Sequence, residues 1–243
     1  MTASPPKLFL LGGVELRGVP PQDADALLAQ SKAVALLAYL ALSPPGRHQR
    51  RDRVVGLLWP ELDQAHARAT LRKAVHAVRS TLGADVFAAR GDEELALAPD
   101  ALWCDAVDFT TSADSGKLAH ALELYRGELL PGFHLPGCAE FTNWLEEQRA
   151  VAAERVAAAA WAMARLMEAD SRLSDAGVWA RRAVRYSGTD ERVLRRAMTM
   201  LDRVGDRAGA LRLFEDFARR LRTDLDAAPS AETAALVATM RGG

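Results

Sequence analysis

The sequence predicts a mainly α protein: an N-terminal winged helix-turn-helix (α+β) over residues 1–105, then an all-α, tetratricopeptide-like helical-repeat domain over residues 106–243. Three observations lead there. Helical stretches between Ser31 and Leu82 are parted at Pro44-Pro45-Gly46 and again at Pro60. A hairpin signal follows around Arg90-Gly91-Asp92-Glu93. Beyond Leu118 the chain turns almost wholly helical and repeats with a spacing of about 34 residues, the tetratricopeptide period.

Taken in order, Leu8–Leu11 and Val14–Leu16 read as short strands turned at Gly12-Gly13. Pro20-Pro21 breaks the chain, and Ala26–Ala29 is expected to add another strand. Ser31 is placed as the N-cap of a helix through Ala41 that buries Val34, Leu37, Tyr39 and Leu40. A short helix over Asp52–Trp59 ends at Pro60. Asp63 then caps a third helix to Leu82, with Gly83 at its C-terminal end. Asp85–Ala89 and Glu94–Ala98 flank the hairpin turn, completing the layout of a winged helix. Further on, Pro131-Gly132 and Pro136-Gly137 punctuate an irregular section before a long helix from Ala139 to Ala169. In the repeat, Leu166 corresponds to Met200, Ser171 to Gly205, Ala176 to Ala210, Trp179 to Leu213 and Ala183 to Phe217. Small Ala176 and Ala210 suit the close crossing of paired helices.

Charge and motifs narrow the function classes. A net charge of −1 argues against a general polyanion binder. Between Arg47 and Leu82, however, eight basic residues face three acidic ones, a local +5 suited to phosphate. A solvated face of ion pairs is the alternative reading of that stretch. No apolar run approaches the roughly 20 residues that span a bilayer. Met1–Lys7 has no charged start leading into an apolar stretch, so a cytoplasmic protein without membrane association is expected. Cys104 and Cys138 stand too far apart for a metal knuckle and read as reduced thiols. The chain has no G-x-x-x-x-G-K-[ST] loop, no G-x-S-x-G elbow and no H-E-x-x-H pair. No catalytic site, metal or cofactor is therefore expected.

The third helix carries the candidate binding residues. At about 100° per residue, Leu71, Val75, Val78 and Leu82 form its core stripe. His66, Ala69, Lys73, His76 and Ala77 lie opposite, with Arg68, Arg72 and Arg79 on one flank. Small residues let a backbone approach the major groove, where Lys73 and His76 can reach base edges and the arginines phosphates or guanine. Arg90 is the basic side chain at the hairpin tip, but Asp92-Glu93-Glu94 follow it, and phosphate repels so acidic a wing unless it turns away. In the repeats, Arg181, Arg182, Arg185, Arg192, Arg195 and Arg196 could receive an acidic partner or effector, or pair with nearby acids.

An ordered set of motifs then comes into view. These are Lys32–Ala41, Leu57–Pro60, Ala67–Arg79, Trp103 and Asp105 before Val107-Asp108-Phe109, Leu124–Phe133, Gly205–Leu211 and Pro229–Thr233. In that order they resemble the Streptomyces antibiotic regulatory protein type of activator, which joins an OmpR-like winged helix to a bacterial transcriptional activation domain. The resemblance implies binding to promoter repeats in double-stranded DNA, recruitment of RNA polymerase and a homodimer on DNA. It makes the basic residues of the third helix DNA contacts, and Arg47 and Arg51 backbone or polymerase contacts. It also implies the short form of the family, ending at Gly243 soon after the activation domain. The competing expectation is a helical-repeat adaptor whose winged helix mediates protein–protein contacts.

Overall fold

The computed structural model describes residues 4–44 and 46–242. Met1–Ala3 of the N-terminal segment, Pro45 of the helix-ending triplet and Gly243 thus lie outside the described residues. In chain order come β1 (Lys7–Phe9), β2 (Glu15–Arg17), α1 (Pro21–Leu28), α2 (Ser31–Ala41), β3 (Gln49–Arg50), α3 (Arg51–Leu58) and α4 (Gln64–Leu82). A 3-10 turn (Ala84–Val86) leads into β4 (Phe87–Arg90), β5 (Glu94–Leu97) and β6 (Trp103–Cys104). Helices follow: α5 (Asp105–Asp114), α6 (Leu118–Leu124), α7 (Ala139–Ala169), α8 (Leu173–Tyr186), α9 (Glu191–Arg203), α10 (Arg207–Leu225) and α11 (Ala231–Gly242). By backbone contact the chain forms two compact units. One holds the residues through Thr111 together with Glu123–Ala150; the other holds Ser112–Leu122 and the residues from Val151 onward.

The first unit is framed by a three-stranded sheet of order β2-β1-β6. β1 runs antiparallel to β2, with Leu8 opposite Leu16, and parallel to β6, with Leu8 beside Cys104. Past Phe9 the chain leaves the β1 ladder. The carboxylate of Asp105 there accepts the amides of Leu10 at 2.8 Å and Leu11 at 3.2 Å. Burial, opposed by those donors and by Arg126, pushes the Asp105 carboxyl above its usual range. The segment after α6 lies along the same strand end: Leu11 bridges Leu129, the Leu130 amide donates to Leu10 O, and the Gly12 amide to Glu128 O. Close approach there requires two glycines. A Cβ on Gly127 would stand 2.8 Å from Gly12 Cα, and Gly12 itself has φ +80°. Arg149 on α7 fixes the far side by donating to the carbonyls of Leu129 and Leu130.

On this frame sits the helical trio. α2 buries every residue from Ala33 to Leu40, as a helix apolar all round must. Its cap is Gln30 and not Ser31, which is the first helical residue and makes no capping bond. The strand expected at Ala26–Ala29 is instead the end of α1. Pro21 at the first turn loses no hydrogen bond and presets φ, so the proline pair starts a helix, and Ala24 and Leu27 pack inward three residues apart. Short apolar runs do not distinguish strand from helix by periodicity alone. Leu57, Leu58, Leu71 and Val78 complete the core between α3 and α4. The wing is a second sheet of order β3-β5-β4, with Gln49 opposite Leu95 and Arg90 opposite Glu94.

The segment 123–150 packs against these helices. Tyr39 meets Trp144 edge to face at 5.1 Å, and the Cys138 thiol donates to Leu58 O at 3.3 Å. In the second unit the 34-residue correspondence is physical from Ser171 on. Ser171 and Gly205 both take positive φ at helix ends, Ala176 and Ala210 are fully buried, and so are Ala183 and Phe217. Leu166 and Met200 do not correspond in environment, since Leu166 is 48% exposed and Met200 buried.

Asp105→Ala is expected to lower unfolding stability by about 2–4 kcal/mol, because two buried amides lose their acceptor. A urea titration showing a loss under about 0.5 kcal/mol would remove Asp105 from this role. Both cysteines are buried, and burial together with the Asp105 carboxylate pushes the Cys104 thiol up to about 12. Since the thiolate is the nucleophile, a thiol-specific reagent at neutral pH should label neither until the protein is unfolded.

Candidate nucleic-acid interface

α4 is the longest helix of the winged-helix part, and its ends are set by local chemistry. Asp63 accepts the amides of Ala65 at 3.0 Å and His66 at 3.1 Å, satisfying two orphan donors of the first turn. Those bonds, the His66 amide first, hold the Asp63 carboxyl below its usual range. Gly83, with φ +107°, ends the helix in a conformation an L side chain rarely adopts. The turn before α4 is held by Lys32, whose ammonium bonds Glu61 at 2.8 Å and lies 5.5 Å from the Trp59 ring.

Burial along α4 follows the stripe that its periodicity predicts. Ala67, Leu71, Ala74, Val75 and Val78 are buried. His66, Arg72, Lys73 and His76 are exposed, and Ala69 is half-buried among them. These exposed residues share one helix, so the structure brings them together with a small side chain between them.

The flanking arginines are in different circumstances. Arg68 donates through Nε and Nη2 to one oxygen of Asp52 on α3, at 2.9 and 2.7 Å, and lies 3.6 Å from Glu93. That bond holds the Asp52 carboxyl below its usual range and raises Arg68 in turn. Arg79, in the last turn, places its guanidinium 5.9 Å from the Phe87 ring centroid. Arg51 opens α3, and its amide donates to Glu93 O at 2.8 Å, tying the wing tip to the first helix of the pair.

Arg47 and Arg90 are not gathered into this cluster. Arg47 is exposed in the loop after α2 and lines a separate cavity with Leu97 and Trp103. Arg90 is exposed at the end of β4. Asp92 and Glu93 of the wing tip are exposed and line the same recess as Arg68, Arg72 and Arg79. The contacts that put Glu93 there, from the Arg51 amide and the Arg68 guanidinium, are non-local and leave no signal in the sequence.

In the second unit the arginine set expected to receive an acidic partner is largely engaged. Arg181 pairs with Asp206, Arg192 with Asp190 at 3.3 Å, and Arg195 with Glu232 at 2.8 Å, while Arg182 stacks on Trp179 at 4.5 Å. Among the described residues no group of three His, Cys, Asp or Glu side chains could hold a metal ion. Among the described residues no single helix is long and apolar enough to cross a membrane.

Comparison with known proteins now bears on this geometry. The family described as the bacterial transcriptional activator domain matches residues 105–241, more than half of the chain. Among solved structures, Mycobacterium tuberculosis EmbR, determined in complex with a low-affinity phosphopeptide, superposes with a TM-score of 0.62 at 21% sequence identity. The match covers 98% of this chain and 65% of the EmbR chain, so the protein spans under two thirds of that chain's length and shares its fold. No curated protein sequence matches. The chain belongs to the bacterial transcriptional activator domain family.

Proposed function

We propose that this protein is a sequence-specific DNA-binding transcription regulator that reads promoter repeats with α4 and activates by recruiting RNA polymerase. The observation that carries the reading is the exposed face of α4, where His66, Arg72, Lys73 and His76 stand around Ala69 on a helix fixed by a buried stripe. A helix so presented, preceded by a short turn and followed by a hairpin, has the form that enters a major groove. In this reading residues 1–105 bind DNA and residues 106–243 serve activation. Lys73 and His76 reach base edges, and Arg72 binds phosphate or guanine. Arg68 and Arg79 flank the groove, with Arg68 positioned by Asp52. Arg47, Arg51 and Arg90 contact the backbone or polymerase. The protein acts in the cytoplasm as a dimer on duplex DNA and catalyses no reaction.

A second reading, an adaptor whose winged helix binds protein, draws on the exposed acids of the wing tip beside the arginines. Salt separates the two. A DNA binder loses affinity steeply with salt in proportion to the phosphates it neutralises, whereas an adaptor ignores duplex DNA even at low salt.

Lys73→Ala and Arg72→Ala should each weaken binding to a selected promoter duplex by about tenfold or more while leaving thermal melting unchanged. Both side chains are exposed, so neither change opens a cavity. Unaltered affinity in both variants would move the recognition surface off α4.

A further inference from the structure

Between the start of α3, the flank of α4 and the wing tip lies a recess of about 530 Å3. Arg51, Arg68, Arg72 and Arg79 line it against Asp92 and Glu93, leaving four positive charges facing two negative ones. The acids do not consume that charge evenly. Arg68 is the guanidinium held by carboxylates, through Asp52 and Glu93. Arg51, Arg72 and Arg79 carry the surplus.

Two atoms make the recess unusual. Among the described residues, the Nε of Arg51 and the Nε of Arg79 are buried side-chain nitrogens without a hydrogen-bond partner. A buried donor left unsatisfied is costly, more so when charged, and native proteins keep few of them. The two residues that carry them line one recess and come from different helices, one the first residue of α3 and one in the last turn of α4. The Arg51 backbone is tied to Glu93 O, and the Arg79 guanidinium lies by Phe87. Planar guanidinium forks in a partly enclosed, net positive recess suit an oxyanion that accepts in several directions at once. Phosphate is the group that arginine binds best in this way.

We propose that this recess seats a phosphate group, and that Asp92 and Glu93 are its built-in competitors, so that the wing tip sets how tightly the phosphate is held. The same chemistry arises from a free phosphate anion or from the DNA backbone; in the second case the inference rests on the DNA-binding reading above. The acidic wing is then an attenuator, placing two carboxylates beside arginines that would otherwise grip a polyanion of any sequence.

The test uses the full chain and three forms: wild type, the double variant Arg51→Gln/Arg79→Gln, and the double variant Asp92→Asn/Glu93→Gln. Each is titrated with inorganic phosphate at constant ionic strength and, separately, with duplex DNA over a range of salt. The wing variant should bind DNA, phosphate or both about threefold more tightly or better, since two like charges leave the site. The arginine variant should bind more weakly, and its log–log salt slope on DNA should fall by about 0.9, the value of one phosphate. If the arginine variant folds poorly, the wing variant still decides, because both its side chains are exposed. A tightening seen with DNA alone assigns the seat to the duplex backbone; one seen with phosphate also assigns it to a free anion. DNA binding that neither variant alters overturns the seat and leaves the DNA-binding reading intact. Phosphate binding without any DNA binding keeps the seat and overturns that reading.

Discussion

The amides of Leu10 and Leu11 need acceptors at a point where β1 has left its ladder and the chain is fully buried. A single carboxylate, Asp105, supplies both, and much of the first unit is arranged by that need. It fixes β6 beside β1, because Trp103 and Cys104 immediately precede it, and Phe9 packs on Trp103 at 5.3 Å. It draws in Arg126 at 3.4 Å, which lies 4.7 Å from the Phe9 ring. Arg126 leads directly into the Gly127–Leu130 segment that lies along the strand end. Arg149 of α7 donates to that segment, and α7 meets the winged helix through Trp144 and Tyr39. The helix that carries the candidate binding face therefore stands on a frame assembled from three distant stretches of chain.

That arrangement explains why motifs scattered between residues 103 and 133 belong together. Trp103 donates to Asp108 at 3.1 Å, Phe109 stacks near Tyr125 at 5.3 Å, and Gly127 is small because Gly12 backbone occupies the space beside it. Each residue of the set satisfies a neighbour in space. The first part of the family's matched region, residues 105–150, is thus built largely into the unit that carries the winged helix. A change in that region would be felt by the α2–α4 trio through packing, with no need for a flexible linker between them.

Legibility in the sequence followed the range of the interactions. α4 was readable almost to the residue because its limits are local: a carboxylate cap at Asp63, an apolar stripe, and a glycine at position 83. The same holds for α7 and for the repeat from Ser171 to Phe217, whose small residues and positive-φ positions recur in place. α1 was misread because a proline pair both ends and begins helices, and eight residues give too little periodicity to choose. β3 and β6 are two residues each and exist only through pairing with strands far along the chain. The candidate site was half legible. Which residues α4 exposes can be derived; that Arg68 is held by Asp52, sixteen residues earlier, or that two acids of the wing line the recess beside the arginines cannot. The local +5 therefore overstated the charge free to meet a polyanion.

The central claim is that this face of α4 reads duplex sequence. Selection of genomic DNA fragments by the purified protein, repeated at two salt concentrations, tests it most directly. A protein that reads DNA with this face enriches a short motif, repeated at helical spacing, with affinity that falls steeply as salt rises. No enrichment even at low salt would contradict it, and would turn attention to protein partners of the same surface.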